Sequence, residues 1–253
     1  MKNSLRPILL LTCALAGIAG AKPARAEISG PTLQLVSAIG GDDIAQAQAA
    51  IAAGADVNAN AGEGRTPLIQ AVMFIRPQLV KLLVERGADP RREADDAIIG
   101  NAVTAAFFAM NGVALTAPSD EVDAGRHAAA LEVLKAVTAP KLGLDLLVRR
   151  ATTQKTALMM AAEAGALDAV EVLLAAGADP NAMNGGGYTA LDYAVERPSG
   201  PSRGSVADRT AIVRALLAAG ATKDRKSADG VTPAERAARA GHTEIASLLT
   251  GKP

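Results

Sequence analysis

GADVNA begins at Gly54, GADPRR at Gly87, GADPNA at Gly177 and GATKDR at Gly220. A second phrase alternates with the first: GRTPL at 64–68, QKTAL at 154–158, GYTAL at 187–191 and GVTPA at 230–234. Gly54 to Gly87 is 33 residues, and Thr156 to Thr189 is 33 again. Ahead of the last three Gly-Ala turns stand the apolar helical patterns LVKLLVER, AVEVLLAA and IVRALLAA. A period of this length marks a supersecondary unit too small to bury its own apolar face. Copies must therefore stack, and stability must come from the interfaces between them.

The residues of each unit state its local geometry. Thr66, Thr189 and Thr232 are placed to cap a first helix, the hydroxyl accepting a backbone N–H that the first turn leaves unpaired. Pro67 and Pro233 follow where φ is already set and the missing donor costs nothing. Gly87, Gly177 and Gly220 end a second helix, where a left-handed residue is favoured. Leu82, Leu83, Val84, Val172, Leu173, Leu174, Leu216 and Leu217 form the stripe that one unit buries against the next.

This grammar resembles the ankyrin repeat family, whose unit is a β-turn loop followed by two antiparallel helices. The resemblance covers residues 32–250, with its best match over 154–187. It implies an all-α solenoid of about six helix-turn-helix units with β-turn loops. The units fall near 32–60, 61–93, 94–150, 151–183, 184–226 and 227–253, the first and last as caps. The third carries surplus length at about 110–130 and the fifth at about 198–207; both fall between a unit's helices, on the edge opposite the hairpins. Long loops in compact domains are often functional, which sets a partner-specific projection against tolerated surface length. The family's histidine after Thr-Pro-Leu is replaced by Ile69, Met159, Asp192 and Glu235, and its loop-opening acid by Ala61, Ala151, Asn184 and Ser227. These departures predict weaker polar stitching between units.

In this family, partners are proteins held against the hairpin tips and the concave row of first helices. Position by position, the resemblance puts partner contacts at Asn60, Glu63, Arg65, Met73 and Phe74 in the second unit, and at Glu93 on the next hairpin. Thr153, Lys155, Glu163 and Met183 follow, then Tyr188, Glu196 and Arg197, and finally Asp229, Val231 and Arg239. Phe74, Tyr188 and Arg65 are the best anchors, because aromatic and arginine side chains dominate binding energy at interfaces.

The amino terminus adds a destination. Lys2 and Arg6, an apolar run from Ile8 to Ala21, and Ala24-Arg25-Ala26 form a secretory signal, residues 1–26, cleaved after Ala26. A run of about 14 apolar residues falls short of the ~20 that span a bilayer. Cys13 leaves with the signal, so the mature chain of 27–253 has no disulfide, thiolate nucleophile or cysteine-zinc site. Removing the signal takes four bases from 26 and leaves 22 against 26 acids. That mild acidity, without a basic block, argues against a nucleic-acid partner. The reading is an exported monomer, periplasmic or released, free of the membrane after cleavage.

Nothing in the sequence assembles a catalytic or metal site. His242 fits a structural turn and His127 reads as solvated. Asp42-Asp43 and Asp95-Asp96 read as helix-start acids favoured by the dipole rather than as a cation site. Asn184-Gly185-Gly186-Gly187 lacks the Gly-Lys-Ser/Thr of a phosphate loop. No cofactor or metal is expected. The function read from the chain is a protein-docking module. A chaperone-like or inhibitory protein holding one exported enzyme or toxin is the alternative, and an enzyme or small-molecule binder with a pocket near 98–130 is the alternative of another class.

Overall fold

The computed structural model describes residues 28–61, 64–94, 100–110, 124–139, 155–195 and 206–251. Residues 1–26, read from the sequence as a signal, lie outside the described residues. So do the segments 111–123 and 196–205, which hold most of the surplus length of the third and fifth units.

Twelve helices occur among the described residues, in six consecutive pairs, with no strand. The first helix of each pair is α1 (Gly30–Gly41), α3 (Pro67–Met73), α5 (Ala102–Met110), α7 (Ala157–Ala164), α9 (Ala190–Val195) and α11 (Pro233–Arg239). The second is α2 (Ile44–Ala52), α4 (Pro77–Glu85), α6 (Ala124–Val137), α8 (Leu167–Ala175), α10 (Val206–Ala218) and α12 (Thr243–Thr250). Each first helix packs against the next first helix and each second helix against the next second helix, giving two parallel rows. Helices α6 and α10 start at Ala124 and Val206, so the surplus segments end sooner than the sequence predicts.

Small side chains set the spacing of the first row. Ala71, Ala106, Ala161, Ala162, Ala194 and Ala237 are fully buried between neighbouring helices. Leu68, Ile69, Leu158, Met159 and Leu191 fill the space between rows. Of the predicted stripe, Leu82, Leu83, Leu173 and Leu216 are buried, while Val84, Val172, Leu174 and Leu217 pack on the core from its margin.

The helix starts follow the predicted chemistry with one exception. The hydroxyls of Thr66, Thr156 and Thr232 accept from the N–H groups of Ile69, Met159 and Glu235 at 3.2, 3.1 and 3.2 Å. Thr189 instead donates its hydroxyl to Asp192 Oδ2 at 3.0 Å, and its N–H reaches the same oxygen at 2.8 Å. The glycines at 54, 87, 177 and 220 take φ of 92°, 85°, 89° and 91°, a region open to glycine at no steric cost.

The turn between the helices of a pair also needs a left-handed residue. Gly165 and Gly241 supply it at φ of 74° and 81°, but Asp42 and Ile75 stand there at 56° and 53°. For a β-branched side chain this costs about 1–2 kcal/mol. Ile75 meets that cost by packing half-buried on the core. Asp42 is held by Arg76 of the next pair at 3.1 Å.

The helix ends are tied across pairs as well. Arg209, only 3 % exposed, donates to the carbonyl oxygens of Ala194 and Glu163 at 3.1 and 3.5 Å. These carbonyls close α9 and α7, where the last turns leave acceptors unpaired. Burial lowers the Arg209 guanidinium from its usual range, and the Glu163 carboxylate opposes that shift.

Candidate protein-docking face

The hairpins between pairs are built by paired backbone bonds. Ala61, Asn184 and Ser227 donate their N–H groups to the carbonyls of Arg65, Tyr188 and Val231 at 2.8, 3.0 and 3.2 Å. Asn184 supplies the acceptor that an acid would: its Oδ1 takes the N–H groups of Gly186 and Tyr188 at 2.9 and 3.0 Å. The glycines of this loop have separate duties. A Cβ on Gly186 would meet the Tyr188 ring at 2.7 Å. Gly187, at φ 72°, lies so close to the next hairpin that a Cβ would sit 3.4 Å from Ala228 N.

Successive hairpins are stitched through asparagine. Asn58 Nδ2 donates to Gly87 O at 3.0 Å, and Asp89 N–H donates back to Asn58 Oδ1 at 2.8 Å. Asn181 repeats the arrangement with Gly220 O at 2.9 Å and Thr222 N–H at 2.8 Å. The side-chain amide thus pairs with the backbone of the next turn. The weak stitching expected from the missing histidine is not what the structure shows at these two junctions. Met159 Sδ, Asp192 and Glu235, standing at the histidine position, each accept the N–H of their own capping threonine.

From the hairpins the first helices run back as a wall, and its C-terminal half carries a chain of cations and aromatics. Lys155 Nζ is bonded to both Glu163 oxygens at 2.7 Å and lies 4.5 Å from the Tyr193 ring centre. Tyr193 and Tyr188 are tilted neighbours with centroids 6.2 Å apart. The Arg236 guanidinium lies 4.9 Å from the Tyr188 ring centre and contacts Asp229, Ser227 and Asp192. Asp229 is held down to about 2 by its hydrogen bond from Ser227, then by those from Arg236 and the Val231 backbone.

The predicted partner contacts divide accordingly. Phe74 is 51 % exposed and Met183 46 %, the open apolar groups of this face. Asn60, Glu93, Asp229 and Arg239 are exposed, whereas Arg65, Met73, Lys155, Glu163 and Tyr188 are half-buried. Lys155, Glu163 and Tyr188 already serve the polar chain. Val231, 5 % exposed, is folded under its own hairpin, which corrects its assignment as a contact. Glu63, Thr153, Glu196 and Arg197 lie outside the described residues. Sequence reasoning missed Asn58, Asn181, Tyr193, Asp192 and Arg236.

A cavity of about 560 Å³ opens on the other row, between α4 and α6. Pro77, Val84, Ala136 and Ala139 line it, and its charges pair within their own helices, Lys81 with Glu85 at 4.0 Å and Lys135 with Glu132 at 2.9 Å. Among the described residues no group of three or more histidine, cysteine or acidic side chains could hold a metal, and no helix is long and apolar enough to cross a membrane.

Comparison with known proteins agrees with this architecture. A family model described as ankyrin repeats (many copies) matches residues 142–194, and one described as ankyrin repeat matches residues 63–92. An ankyrin repeat domain from Acinetobacter baumannii AYE superposes with a TM-score of 0.65 at 27 % identity, over 86 % of this chain and 96 % of that one. Residues 63–92 and 142–194 are ankyrin repeats, and the fold is that of an ankyrin repeat protein. A second ankyrin repeat protein of known structure matches with a TM-score of 0.66 at 26 % identity, over 88 % of this chain and 98 % of its own. No curated protein matches at a significant level. In ankyrin repeat terms the two rows are the helices of an all-α solenoid, and repeats of this family are in general protein-protein interaction modules.

Proposed function

We propose that the chain is exported, loses residues 1–26, and in the periplasm docks a folded partner protein on its hairpin and first-helix face. The observation that carries this reading is the exposed Phe74 at the end of α3, in the same row of first helices whose C-terminal half is fixed by the bonded chain from Lys155 to Arg236. A preformed face loses little conformational freedom on binding, so contact energy is not spent on ordering it. Phe74 supplies an apolar anchor and Arg65 a cationic one at the two ends of the same helix, the residue types that dominate interface energetics. The family generally provides non-catalytic scaffolds. The cavity between α4 and α6 lies on the opposite row, and among the described residues its carboxylates and lysines pair with each other, Lys81 with Glu85 and Lys135 with Glu132.

Two measurements test the reading. Mass analysis of the periplasmic fraction should find a chain beginning at Glu27. Capture with that mature chain should yield a discrete protein that is lost when Phe74→Ala and Arg65→Ala are combined. Retention of the full-length chain in the cytosol would refute export, and capture unchanged by the double substitution would refute the docking face.

A further inference from the structure

We propose that the last hairpin and the start of α11 bind an acidic segment of the partner protein, flanked by an apolar side chain that meets Met183. This rests on the docking reading above and adds the partner's chemistry. The sixth residue after the glycine of each Gly-Ala turn is Asn60, Glu93, Met183 and Lys226, and all four are exposed. The hairpins carrying Met183 and Lys226 lie wholly among the described residues and are bonded to each other at two places. Asn181 pairs with Gly220 O and Thr222 N–H, and Ala228 donates its N–H to Gly186 O at 3.0 Å. Met183 and Lys226 therefore stand at the same register on two tips fixed together.

The cations of this hairpin are not spent inside the chain. Lys223, Arg225 and Lys226 fall within one exposed run, with Arg239 exposed on α11. Among the described residues no ion pair closes on Lys223, Arg225 or Lys226, while two of the nearby acids are engaged. Asp229 accepts from Ser227 at 2.6 Å and from Arg236 at 2.9 Å, and Glu235 accepts the Thr232 N–H at 2.9 Å. The Glu235 carboxyl is held below its usual range first by its bonds with Thr232 and further by Lys226 and Arg239, so both cations lie close to it. Set against Asp224 and Glu235, the four cations leave two positive charges in excess.

The opposite end of the chain has the opposite sign. Residues 27–64 hold Glu27, Asp42, Asp43, Asp56 and Glu63, and no lysine or arginine. A partner with its acidic segment over the last hairpin is attracted there. Turned end for end, the same partner would set like charges together at the first hairpin, and that repulsion selects one orientation. The patch fits a protein segment better than an anionic bilayer. Bilayer surfaces are held by clusters of roughly four to eight cations. Here Asp224 and Glu235 interrupt a set of four, and the adjoining apolar group is one methionine, 46 % exposed.

Photo-crosslinking of the full chain in intact cells tests this, with the photoreactive residue at position 74, away from the patch. Combining Lys223→Glu, Arg225→Glu and Lys226→Glu should keep the circular dichroism and melting temperature of the parent and lower the adduct yield about tenfold. Lys81→Glu with Lys135→Glu, on the opposite row, should leave the yield unchanged. With the photoreactive residue at Ala228, exposed on the same hairpin, sequencing the attached partner peptide should read more Asp and Glu than Lys and Arg. The mature chain should not float with vesicles of phosphatidylglycerol and phosphatidylethanolamine. A parent adduct at position 74 that survives the triple reversal would overturn this inference and leave the docking reading standing, as would a neutral or basic peptide at 228. Vesicle binding lost in the triple variant would give the patch to a lipid surface and overturn it too. No adduct at position 74 in the parent would refute the docking reading, and this inference with it.

Discussion

Arg236 and Asp192 form a nearly buried ion pair between the last two helix pairs, with Nε 3.6 Å from the carboxylate and side-chain exposures of 11 % and 4 %. Asp192 stands where an ankyrin unit commonly has histidine, and it serves its own helix start as well as its neighbour. It takes both the N–H and the hydroxyl of Thr189, while Arg236 continues to Asp229 and Tyr188.

Breaking this pair from one side leaves a carboxylate buried beside a lost cation, at a cost of about 3–5 kcal/mol. Arg236→Met should therefore lower the urea midpoint strongly and release α11 and α12 first. Arg236→Lys should recover less than half of the loss, because a single ammonium cannot reach Asp192 and Asp229 and also stack on Tyr188. Urea unfolding followed by circular dichroism measures both variants.

The asparagine stitches make a separate prediction. Asn58→Ala and Asn181→Ala each remove two hydrogen bonds between hairpins and should each cost about 1–2 kcal/mol. They act at different junctions and share no partner, so the double variant should lose close to the sum. Equilibrium unfolding of the three variants decides whether these bonds hold the ridge together.

Stability and docking should separate at the two aromatics. Phe74→Ala removes a half-exposed ring and should cost less than about 1 kcal/mol. Tyr188→Ala removes a ring stacked beneath Arg236 and beside Tyr193 and should cost about 1–2 kcal/mol. A binding defect in Phe74→Ala at unchanged melting temperature reports the interface itself, whereas a defect in Tyr188→Ala mixes both effects.

The last unit should also be the first to respond to acid. Asp229 is lowered from 3.8 to about 2 by Ser227, Arg236 and Val231, and Glu235 is lowered by the N–H and hydroxyl of Thr232. Groups lowered on folding contribute stability that is complete above their unfolded values and disappears as pH falls through the folded ones. Protection of α11 and α12 should therefore fall between about pH 4 and pH 2, ahead of α3 and α4. Hydrogen exchange at pH 4, 3 and 2 follows the order of release.

The local half of this architecture was legible because each signal is carried by the residue that does the work. Threonine at a cap, proline after it and glycine at a left-handed turn need no knowledge of distant chain. The stitches were not legible, because the partner of Asn58 or Asn181 is the backbone of another turn, which has no sequence signature of its own. His127 read as solvated for the same reason: its partner, Asp168, enters from the next helix pair 41 residues away. Val231 shows the limit of transfer by position, since the bond from Ser227 N–H to its carbonyl turns the side chain inward although the register places it at a hairpin.

The central claim, that a folded protein docks on the hairpin and first-helix face, is tested most directly by photo-crosslinking in intact cells. A photoreactive residue would replace Phe74 or Met183 on that face and Lys81 or Glu171 on the opposite row. The account predicts one discrete adduct of the same mass from positions 74 and 183 and none from 81 or 171. Adducts from 81 and 171 with none from 74 and 183 would place the interface on the other row and contradict it.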